Sequence, residues 1–337
     1  MSLIPFLHQV SERQDLVPED AQAAMGIILS GESTPAQIAA FLTALRMKGE
    51  SVGELVGFAR AMRQAARTVS VGGSEPLIDT CGTGGDGGGT FNISTVAAFV
   101  IAGAGVRVAK HGNRSLSSRC GSADLMESLG VKVSQEPEEM ARAIREVGIA
   151  FLFAPAIHTA MKHAQPVRAE LKMRTAFNLL GPLTNPAGAT AQVVGAPSER
   201  AAELMAGALA ELGLPRGFVV HGSDGLDEIT TTGPTLAFEV IGGLVERRCL
   251  QPGMFGVSVA RAEDLRGGDV AANRDIAVSV LAGEKGARRD IVLVNASAAL
   301  VAAGLARDFE EGARLAAQSI DSGAARDRLE RLIRFNK

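Results

Sequence analysis

The sequence predicts an α/β protein in which a small all-helical N-terminal domain is joined to a larger α/β domain with a mainly parallel central sheet covered by helices. Residues 1 to about 69 carry apolar residues at three- and four-residue spacing, which is typical of helices. Beyond residue 76, short apolar runs alternate with helical segments, which favours parallel strands joined by crossover helices. The intervening residues 68–76 include Gly72-Gly73-Ser74, a composition typical of a domain boundary.

The first domain is predicted to contain helices at 19–29, 34–47 and 51–66. Ser33 or Thr34 and Ser51 are suitable N-caps, and Pro35 falls in a first helical turn, where proline is tolerated. We therefore assign residues 1–70 to the helical domain, with the helices near 158–180 joining it, and residues 74–337 to the α/β domain.

The second domain is predicted element by element from the same patterns. The strands are 77–79, 106–109, 131–133, 149–153, 191–195 and 217–220. The helices are 94–104, 121–129, 137–147, 198–212 and 271–282, with further elements at 235–240, 296–303 and 309–322 and an amphipathic helix at the end. Residues 158–175 are predicted to be helical but broken near Pro166, and 179–186 to be irregular because two prolines and a glycine fall there.

Composition excludes several classes of protein. The 337-residue chain has 46% hydrophobic and 21% charged residues, which is the composition of an ordinary globular protein. Its net charge of −3 gives no basic field for nucleic acid or an anionic membrane, and no apolar run reaches the length of a membrane span. Cys81, Cys120 and Cys249 lack metal-site spacing, so we expect neither a disulfide framework nor a zinc site, and we predict a cytoplasmic protein.

Residues 77–118 contain the strongest sign of a binding site. An apolar run ends at Asp79, and glycine then occupies six of the eight positions from Gly82 to Gly89. A helix with serine and threonine at its start follows from Ile93. Glycines feeding a helix N-terminus predict an anion site, because the unpaired N–H groups of the first turn point toward the ligand and no Cβ blocks its approach.

Two better-known phosphate motifs fit this stretch poorly. Gly82-x-Gly84-x-x-Gly87 matches a dinucleotide pattern, but the next strand leads into Lys110 and Arg114 instead of the acidic residue that a ribose hydroxyl requires. The nucleotide-hydrolase loop is absent, since no lysine follows the glycines of this turn. The second turn is cationic and so also suits phosphate.

A pair of carboxylates, Asp227 and Glu228, follows the apolar strand at 217–220. Adjacent carboxylates on a loop are most often surface charge, but at the same sheet edge as the glycine turn they would suit Mg²⁺ bound to phosphate. Ser94 is either a third oxygen ligand or a simple helix cap.

The other reactive side chains carry less information. His8, His163 and His221 are expected to be packed or on the surface, whereas His111 and His158 are candidates for lining the site. Cys81 is expected to be a small buried residue and not a nucleophile.

Six ordered motifs then make the chain resemble the anthranilate phosphoribosyltransferase family, of the glycosyltransferase family 3 and nucleoside phosphorylase class II type of fold. The motifs are Gly82-Thr83-Gly84-Gly85-Asp86, Thr90-Phe91-Asn92-Ile93-Ser94-Thr95, KHGNRSLSS at 110–118, GSADLMESLG at 121–130, RTAFNLLGPLTNP at 174–186 and HGSDGLDEIT at 221–230. The resemblance implies transfer of a phosphoribosyl group from 5-phosphoribosyl 1-pyrophosphate (PRPP) to anthranilate, in tryptophan biosynthesis, by a homodimer that associates through its helical domain.

The resemblance also implies ligands residue by residue. PRPP would contact Gly82, Gly85, Asp86, Thr90, Asn92, Ile93, Ser94, Thr95, Lys110, His111, Gly112, Asn113, Arg114, Ser115, Leu116, Ser117, Ser118 and Ser122. Anthranilate would contact Gly82, Asn113 and Arg168. Two Mg²⁺ ions per subunit would be bound with substrate, one by Ser94 and one by Asp227 and Glu228, with Glu228 shared.

The implied chemistry needs no general acid or base. Lys110, Arg114, Asp227 and Glu228 would act by position and charge. Lys172 departs from the family pattern, which has glycine at that place.

Two alternatives remain open. A pyrimidine nucleoside phosphorylase-like enzyme would use different glycine-loop and lysine motifs. A non-catalytic nucleic-acid-binding relative would need a basic face.

Overall fold

A single sheet organises the larger domain in the computed structural model, which describes residues 2–84, 89–115 and 119–335. Within those residues its strands are β1 (Leu77–Gly82), β2 (Arg107–Gly112), β3 (Ile149–Phe153), β4 (Ala191–Gly195), β5 (Arg216–Gly222), β6 (Thr235–Ile241) and β7 (Leu244–Leu250). The spatial order is β3-β2-β1-β4-β5-β6-β7. The first five strands in this order are parallel, and β6 and β7 are antiparallel additions at one edge. The prediction of a mainly parallel sheet is confirmed.

The strand order reverses at β1. From β1 the chain builds outward through β2 to β3 and then returns to place β4 and β5 on the other side of β1. Crevices at the carboxyl ends of such strands are the usual ligand sites of open α/β sheets. The ends of β1 and β4 are therefore where a site is expected.

Helices of the N-terminal domain begin where their capping residues stand. Thr34 and Ser51 each accept a hydrogen bond from the backbone three residues on and form capping boxes, as their side chains predict. These helices are α1 (Ile4–Ser11), α2 (Pro18–Ser30), α3 (Pro35–Lys48) and α4 (Val52–Ala65). The sequence pattern predicts the last three but does not separate out α1.

The remaining helices cover the sheet or lie between the domains. They are α5 (Ile93–Gly103), α6 (Ser122–Ser128), α7 (Pro137–Val147), α8 (Ala154–Ile157), α9 (Gln165–Leu171), α10 (Phe177–Leu180), α11 (Glu199–Glu211), α12 (Val270–Leu281), α13 (Ala287–Ala302), α14 (Phe309–Asp321) and α15 (Ala324–Phe335). Short 3₁₀ turns cover Thr159–His163 and Pro182–Thr184. Helix α5 is apolar on nearly every side because it packs between the sheet and α13, α14 and α15.

The prediction of a strand at 131–133 is wrong. Val131 and Val133 are buried and Lys132 between them is exposed, which is the alternation of a strand, but these residues have no partner strand among those described. The backbone N–H of Val131 instead donates to Met126 O at the end of α6. Strand β7 was missed because most of its side chains are exposed on the sheet's antiparallel edge.

The two domains share buried surface. Phe41 and Phe58 of the helical domain lie in the same apolar cluster as Val167 and Phe177 and as Val219 on one face of the sheet. Within the described ranges, no helix combines the length and apolarity needed to cross a membrane.

Candidate active site

Two glycines that lie side by side allow an acidic loop to reach the end of the sheet. Gly82 ends β1 and is paired in register with Gly195, which ends β4. A Cβ on Gly195 would lie 1.6 Å from the backbone O of Asp227, and one on Gly82 would lie 2.4 Å from its Oδ2. At Gly195 the obstacle is the main chain of Asp227, so glycine is required there. At Gly82 it is mainly the Asp227 side chain, which a larger residue would displace from its position against the glycine turn.

The Asp227 carboxylate is fixed against the glycine turn. Its Oδ2 accepts a hydrogen bond from the backbone N–H of Gly84 at 2.8 Å, and Thr83 N donates to Gly195 O at 3.0 Å. The carboxylate is largely buried. The structure thus brings together the glycine turn and the acidic pair, which are separated by more than 140 residues in the sequence.

The Glu228 carboxylate lies at the start of α5. Its Oε1 accepts a hydrogen bond from the backbone N–H of Ser94 at 3.1 Å. A carboxylate is stabilised at this place because the helix N-terminus carries unpaired N–H groups and a partial positive charge. The flanking Ile93 and Thr95 are buried, whereas Ser94 is partly exposed.

Lys110 places a buried ammonium group beside the start of α5. Its Nζ donates to the backbone O of Thr80 and lies 3.5 Å from Ser94 Oγ. The ammonium group is therefore fixed between β1 and the first turn of α5. Such a charge favours anions at this edge of the sheet.

A neutral histidine pair lies beside Lys110. The rings of His111 and His158 are 5.1 Å apart, and His111 Nδ1 lies 3.2 Å from Gly181 O, which suits an N–H donor at Nδ1. Burial, reinforced by the neighbouring His158, lowers the pKa of His111 to about 3, and burial lowers the pKa of His158 to about 4. The Nε2 atom of each ring is buried without a hydrogen-bond partner. Both residues, which the sequence offered as site-lining candidates, are neutral at physiological pH.

Asp79 fastens the backbone beneath the histidines. Its carboxylate accepts hydrogen bonds from His111 N at 3.0 Å and Asn185 Nδ2 at 2.7 Å. Burial raises the pKa of Asp79, and the neighbouring Lys110 opposes that shift. Cys81 donates weakly to Asp79, and burial raises the pKa of its thiol well above the usual value, which agrees with a packing role.

The cationic turn after β2 is held to α6. Ser122 Oγ accepts from Asn113 N at 3.2 Å and donates to Asn113 O at 3.1 Å. The Arg114 guanidinium pairs with Asp124 at 2.8 Å and Glu127 at 2.6 Å, and these acids raise its pKa. The sequence predicts that Arg114 is available to phosphate, whereas the structure pairs it with two carboxylates that a phosphate would have to replace.

The remaining predicted PRPP contacts fall into three sets. Thr90 pairs with Arg266, and Asn92 is held by Cys120 O at 3.0 Å and by Asn273 Nδ2 at 3.1 Å, so both lie at the exit of the glycine turn. Gly112 ends β2, and Ser115 lies with Asn113 and Arg114 in the turn that follows. Gly85, Asp86, Leu116, Ser117 and Ser118 lie outside the described residues.

Two arginines lie in α9 or shortly after it, and one of them contacts the glycine turn. Arg168, the predicted anthranilate contact, is half-buried over the ring of Phe177 at 5.2 Å, and burial lowers its pKa. Arg174 donates from Nη1 to Gly84 O at 2.9 Å, a contact with the glycine turn that the sequence did not reveal. Lys172 ends α9 with φ of 49°, a left-handed conformation in which glycine is the least strained residue. That conformation explains why the family pattern has glycine there.

Other site residues were also missed from the sequence. Asn185 joins Asp79 to Ala109 O, and its only sequence signal is an amide in an irregular, proline-rich segment. Gly195 could have been found as a second strand ending in glycine, as β1 does.

The donor set at the acidic pair fits Mg²⁺. Asp227, Glu228 and the hydroxyl of Ser94 offer hard oxygen ligands, and one oxygen of each carboxylate is already oriented by a backbone amide. Among the described residues, no three His, Cys, Asp or Glu side chains converge as a metal-binding group. The pair is therefore a partial ligand set of the kind that substrate phosphates and water complete.

Comparison with known proteins agrees with this geometry. Residues 4–66 match the family model for the helical bundle domain of a glycosyl transferase family, and residues 74–326 match that family's a/b domain. An anthranilate phosphoribosyltransferase from Solibacter usitatus is 68% identical over 336 residues, covering 99% of both chains, and one from Symbiobacterium thermophilum is 54% identical, covering 98% of this chain and 96% of the relative.

Solved structures extend the likeness to three dimensions. The anthranilate phosphoribosyltransferase from Thermus thermophilus superposes with a TM-score of 0.93 at 46% identity, covering 98% of each chain. The enzyme from Saccharomyces cerevisiae in complex with PRPP and Mg superposes with a TM-score of 0.91 at 28% identity, covering 99% of this chain and 97% of the other.

Proposed function

The chain belongs to the anthranilate phosphoribosyltransferase family and transfers the phosphoribosyl group of PRPP to the amine of anthranilate in tryptophan biosynthesis, and we propose that the loops at the carboxyl edge of its sheet bind both substrates. The observation that carries this assignment of the site is the contact of Asp227 and Glu228 with the glycine turn and the start of α5. The products are N-(5-phosphoribosyl)anthranilate and pyrophosphate. The phosphorylase-like and nucleic-acid-binding alternatives are not favoured, because near-full-length relatives at 68% and 54% identity carry the transferase name.

PRPP is proposed to lie across the end of β1 with its phosphates toward the glycine turn. The N-terminal amides of α5 and the buried Lys110 ammonium supply positive potential at that place. Asn113 and Ser122 present backbone and hydroxyl groups on the other side of the sheet end. Gly85, Asp86 and residues 116–118 complete this proposed set from outside the described residues.

Mg²⁺ is used by this family, as the yeast enzyme's complex with PRPP and Mg indicates. We propose two ions per subunit with substrate bound, one at Ser94 and one at Asp227 and Glu228, with Glu228 shared. The metal would neutralise charge on the pyrophosphate as it leaves. Asp227 and Glu228 contribute orientation, because each is already hydrogen-bonded to a backbone amide.

Anthranilate is proposed to lie between the end of β1 and α9, in contact with Gly82, Asn113 and Arg168. A guanidinium binds a carboxylate through two parallel hydrogen bonds, and Arg168 is held above Phe177 with its charge partly desolvated. The amine nitrogen then forms a bond to the anomeric carbon of the ribose while the bond from that carbon to the pyrophosphate oxygen breaks, and pyrophosphate takes the electron pair. The amine proton passes to solvent, so no side chain is required as a general base.

Assembly and location are proposals as well. We propose a homodimer formed through the helical domain, where Val17 and Met47 are exposed apolar side chains. The domains are taken as residues 1–70, joined by the helices near 158–180, and 74–337; the apolar cluster shared by Phe58 and Val167 supports that division. The three free thiols fit a reducing cytoplasm.

The direct test measures pyrophosphate release from PRPP with anthranilate and Mg²⁺, beside DNA binding at several salt concentrations. Asp227→Asn and Glu228→Gln should each lower kcat by about a hundredfold or more, since a lost metal ligand removes several kcal/mol of charge stabilisation. Glu310→Gln, on the exposed face of α14, is the matched control and should be active. Full Mg²⁺-dependent activity in both site variants would refute the metal assignment.

A further inference from the structure

One buried side chain holds the segment that follows the acidic pair. Asn295 Oδ1 accepts a hydrogen bond from Ile229 N at 2.9 Å, and its Nδ2 donates to Ile229 O at 2.9 Å. The second Nδ2 hydrogen is donated to Ile291 O, one turn earlier in α13, at 2.9 Å. The amide of Asn295 thus uses all of its donors and satisfies both backbone groups of the residue next to Glu228.

The surroundings of Asn295 are otherwise apolar. It lies in the stretch IVLVNASAAL of α13, is 2% exposed, and has buried isoleucine, leucine and valine neighbours on its own helix. An apolar side chain of similar size would pack in such a helix without needing three hydrogen-bond partners. The polar residue is explained by the backbone of Ile229, which would otherwise be buried without partners.

The helix that carries Asn295 also supports the other half of the site. Helix α13 packs along α5, whose first turn holds the backbone amide that binds Glu228. Main-chain bonds such as Gly222 N to Leu226 O and Thr230 N to Thr235 Oγ1 hold the 222–232 loop to itself and to β6. Other bonds of the loop reach the glycine turn, the start of α5 and Ala260 N, which donates to Thr231 O. The Asn295 amide ties the loop to α13. Together with the direct bond from Ser94 N to Glu228, it fixes the position of the loop relative to α5, because the main chain of Ile229 adjoins Glu228.

We propose that Asn295 is a positioning residue for the Mg²⁺·PRPP site: it does not touch substrate, but it fixes the main chain beside Glu228 so that the acidic pair faces the glycine turn and α5. This inference rests on the proposed function of the acidic pair. Hydrogen-bond partners that orient the ligands of a metal typically change metal affinity by about 10- to 100-fold when they are removed. That range is the expected effect at this position.

Three variants separate positioning from stability. Asn295→Ala removes both bonds to Ile229. Asn295→Asp keeps the shape and the acceptor but sets a carboxylate oxygen against Ile229 O. The matched control is Ser297→Ala, which is also buried in α13 and loses a hydrogen bond to Phe309 O at the start of α14 instead of one to the acidic loop.

Titration calorimetry measures the binding of Mg²⁺·PRPP to each variant. The Mg²⁺ activation constant, the KM for anthranilate and the unfolding temperature are measured for the same variants. Both Asn295 variants should weaken Mg²⁺·PRPP binding by about 10- to 100-fold, raise the activation constant in parallel and leave the KM for anthranilate near wild type. Ser297→Ala should lower the unfolding temperature and leave binding unchanged. In a Glu228→Gln background, Asn295→Ala should reduce the affinity for Mg²⁺·PRPP much less than it does in the wild-type background, because Asn295 acts through Glu228.

Lower stability with unchanged Mg²⁺·PRPP binding in either Asn295 variant would overturn the proposal. It would also be overturned if Asn295→Asp does not fold under conditions in which Ser297→Ala folds, since the residue would then serve the fold alone. Failure of the wild-type protein to bind Mg²⁺·PRPP would instead contradict the proposed function of the site, so the two failures are distinguishable.

Discussion

Gly195→Ala tests whether the close approach of the acidic loop is what makes the site. The added Cβ would lie 1.6 Å from the backbone O of Asp227 and 2.5 Å from its carbonyl carbon. An ordinary van der Waals contact needs about 3.4 Å or more, so the loop or β4 must move by well over 1 Å. Because the obstacle is backbone and not a flexible side chain, the strain cannot be relieved by a rotamer change. Overpacking of this kind costs about 1–3 kcal/mol of stability.

The displacement should affect catalysis more than folding. Moving Asp227 away from Gly84 N breaks the 2.8 Å hydrogen bond and shifts Glu228 with it, and a misplacement of about 1 Å can cost about a hundredfold in rate. We therefore expect kcat/KM for PRPP, measured by pyrophosphate release, to fall about a hundredfold while thermal unfolding remains cooperative.

The control is Gly26→Ala, on the exposed side of α2, where no atom lies within 4 Å of the added Cβ. That variant should be fully active and more stable by roughly 0.5–1 kcal/mol, the usual gain from replacing glycine in a helix interior. Wild-type activity and stability in Gly195→Ala would show that the loop tolerates a side chain there and would refute the steric reasoning.

Three further outcomes are expected. Arg168→Ala should raise the KM for anthranilate by roughly 10- to 100-fold, as for a lost charged hydrogen bond. The KM for PRPP, and the KM for aniline used as the acceptor, should be nearly unchanged. An equal rise in the KM for aniline would contradict the proposed role of Arg168. Arg114→Ala should weaken the binding of PRPP by about tenfold and change the binding of anthranilate little. The unfolding temperature should also change little, because the ion pairs of Arg114 are exposed. An effect on anthranilate binding alone would show that Arg114 contacts anthranilate and not PRPP. The pKa values of His111 and His158 lie below that of an unfolded histidine, so the unfolded chain binds more protons below pH 6.5 and stability should fall with pH from 6.5 toward about 4. The slope is at most about 1.4 kcal/mol per pH unit for each ring. Chemical denaturation gives the free energy of unfolding at pH 6.5 and at pH 5.5. The difference between the two values should be smaller in the double variant His111→Gln, His158→Gln than in the wild type. An unchanged difference would mean that the rings are protonated in the folded protein.

The parts of the molecule that the sequence predicted depend on local pattern. Capping at Thr34 and Ser51 needs only residues three positions apart, and the parallel sheet follows from the alternation of strands and helices. The chemistry of the glycine turn before α5 is also contained in one short stretch, and its assignment as an anion site stays a prediction. Residues 131–133 show the limit, since an alternating burial pattern arises from packing on a core as well as from strand pairing.

The parts that escaped prediction depend on contacts between distant segments. Gly195 is explained by a loop that follows the next strand, and Asn295 by a backbone amide 66 residues earlier. The partners of Arg114 lie only 10 and 13 residues away, on α6. That pairing depends on how the helix is oriented against the end of β2, so the spacing alone did not reveal it.

Backbone amides hold the carboxylates of this sheet edge. Asp227 accepts from Gly84 N, Glu228 from Ser94 N and Asp79 from His111 N, at 2.8, 3.1 and 3.0 Å. A side-chain substitution at the donor residue leaves such a donor in place, so the arrangement is set by how closely the main chains approach. Approach is possible at the ends of β1 and β4 because glycine stands there in register. Since groups that are oriented before the substrate arrives need no reorganisation during the reaction, we expect Gly195 to contribute to catalysis by letting the acidic loop be fixed in place, in addition to the substrate contacts proposed for Gly82.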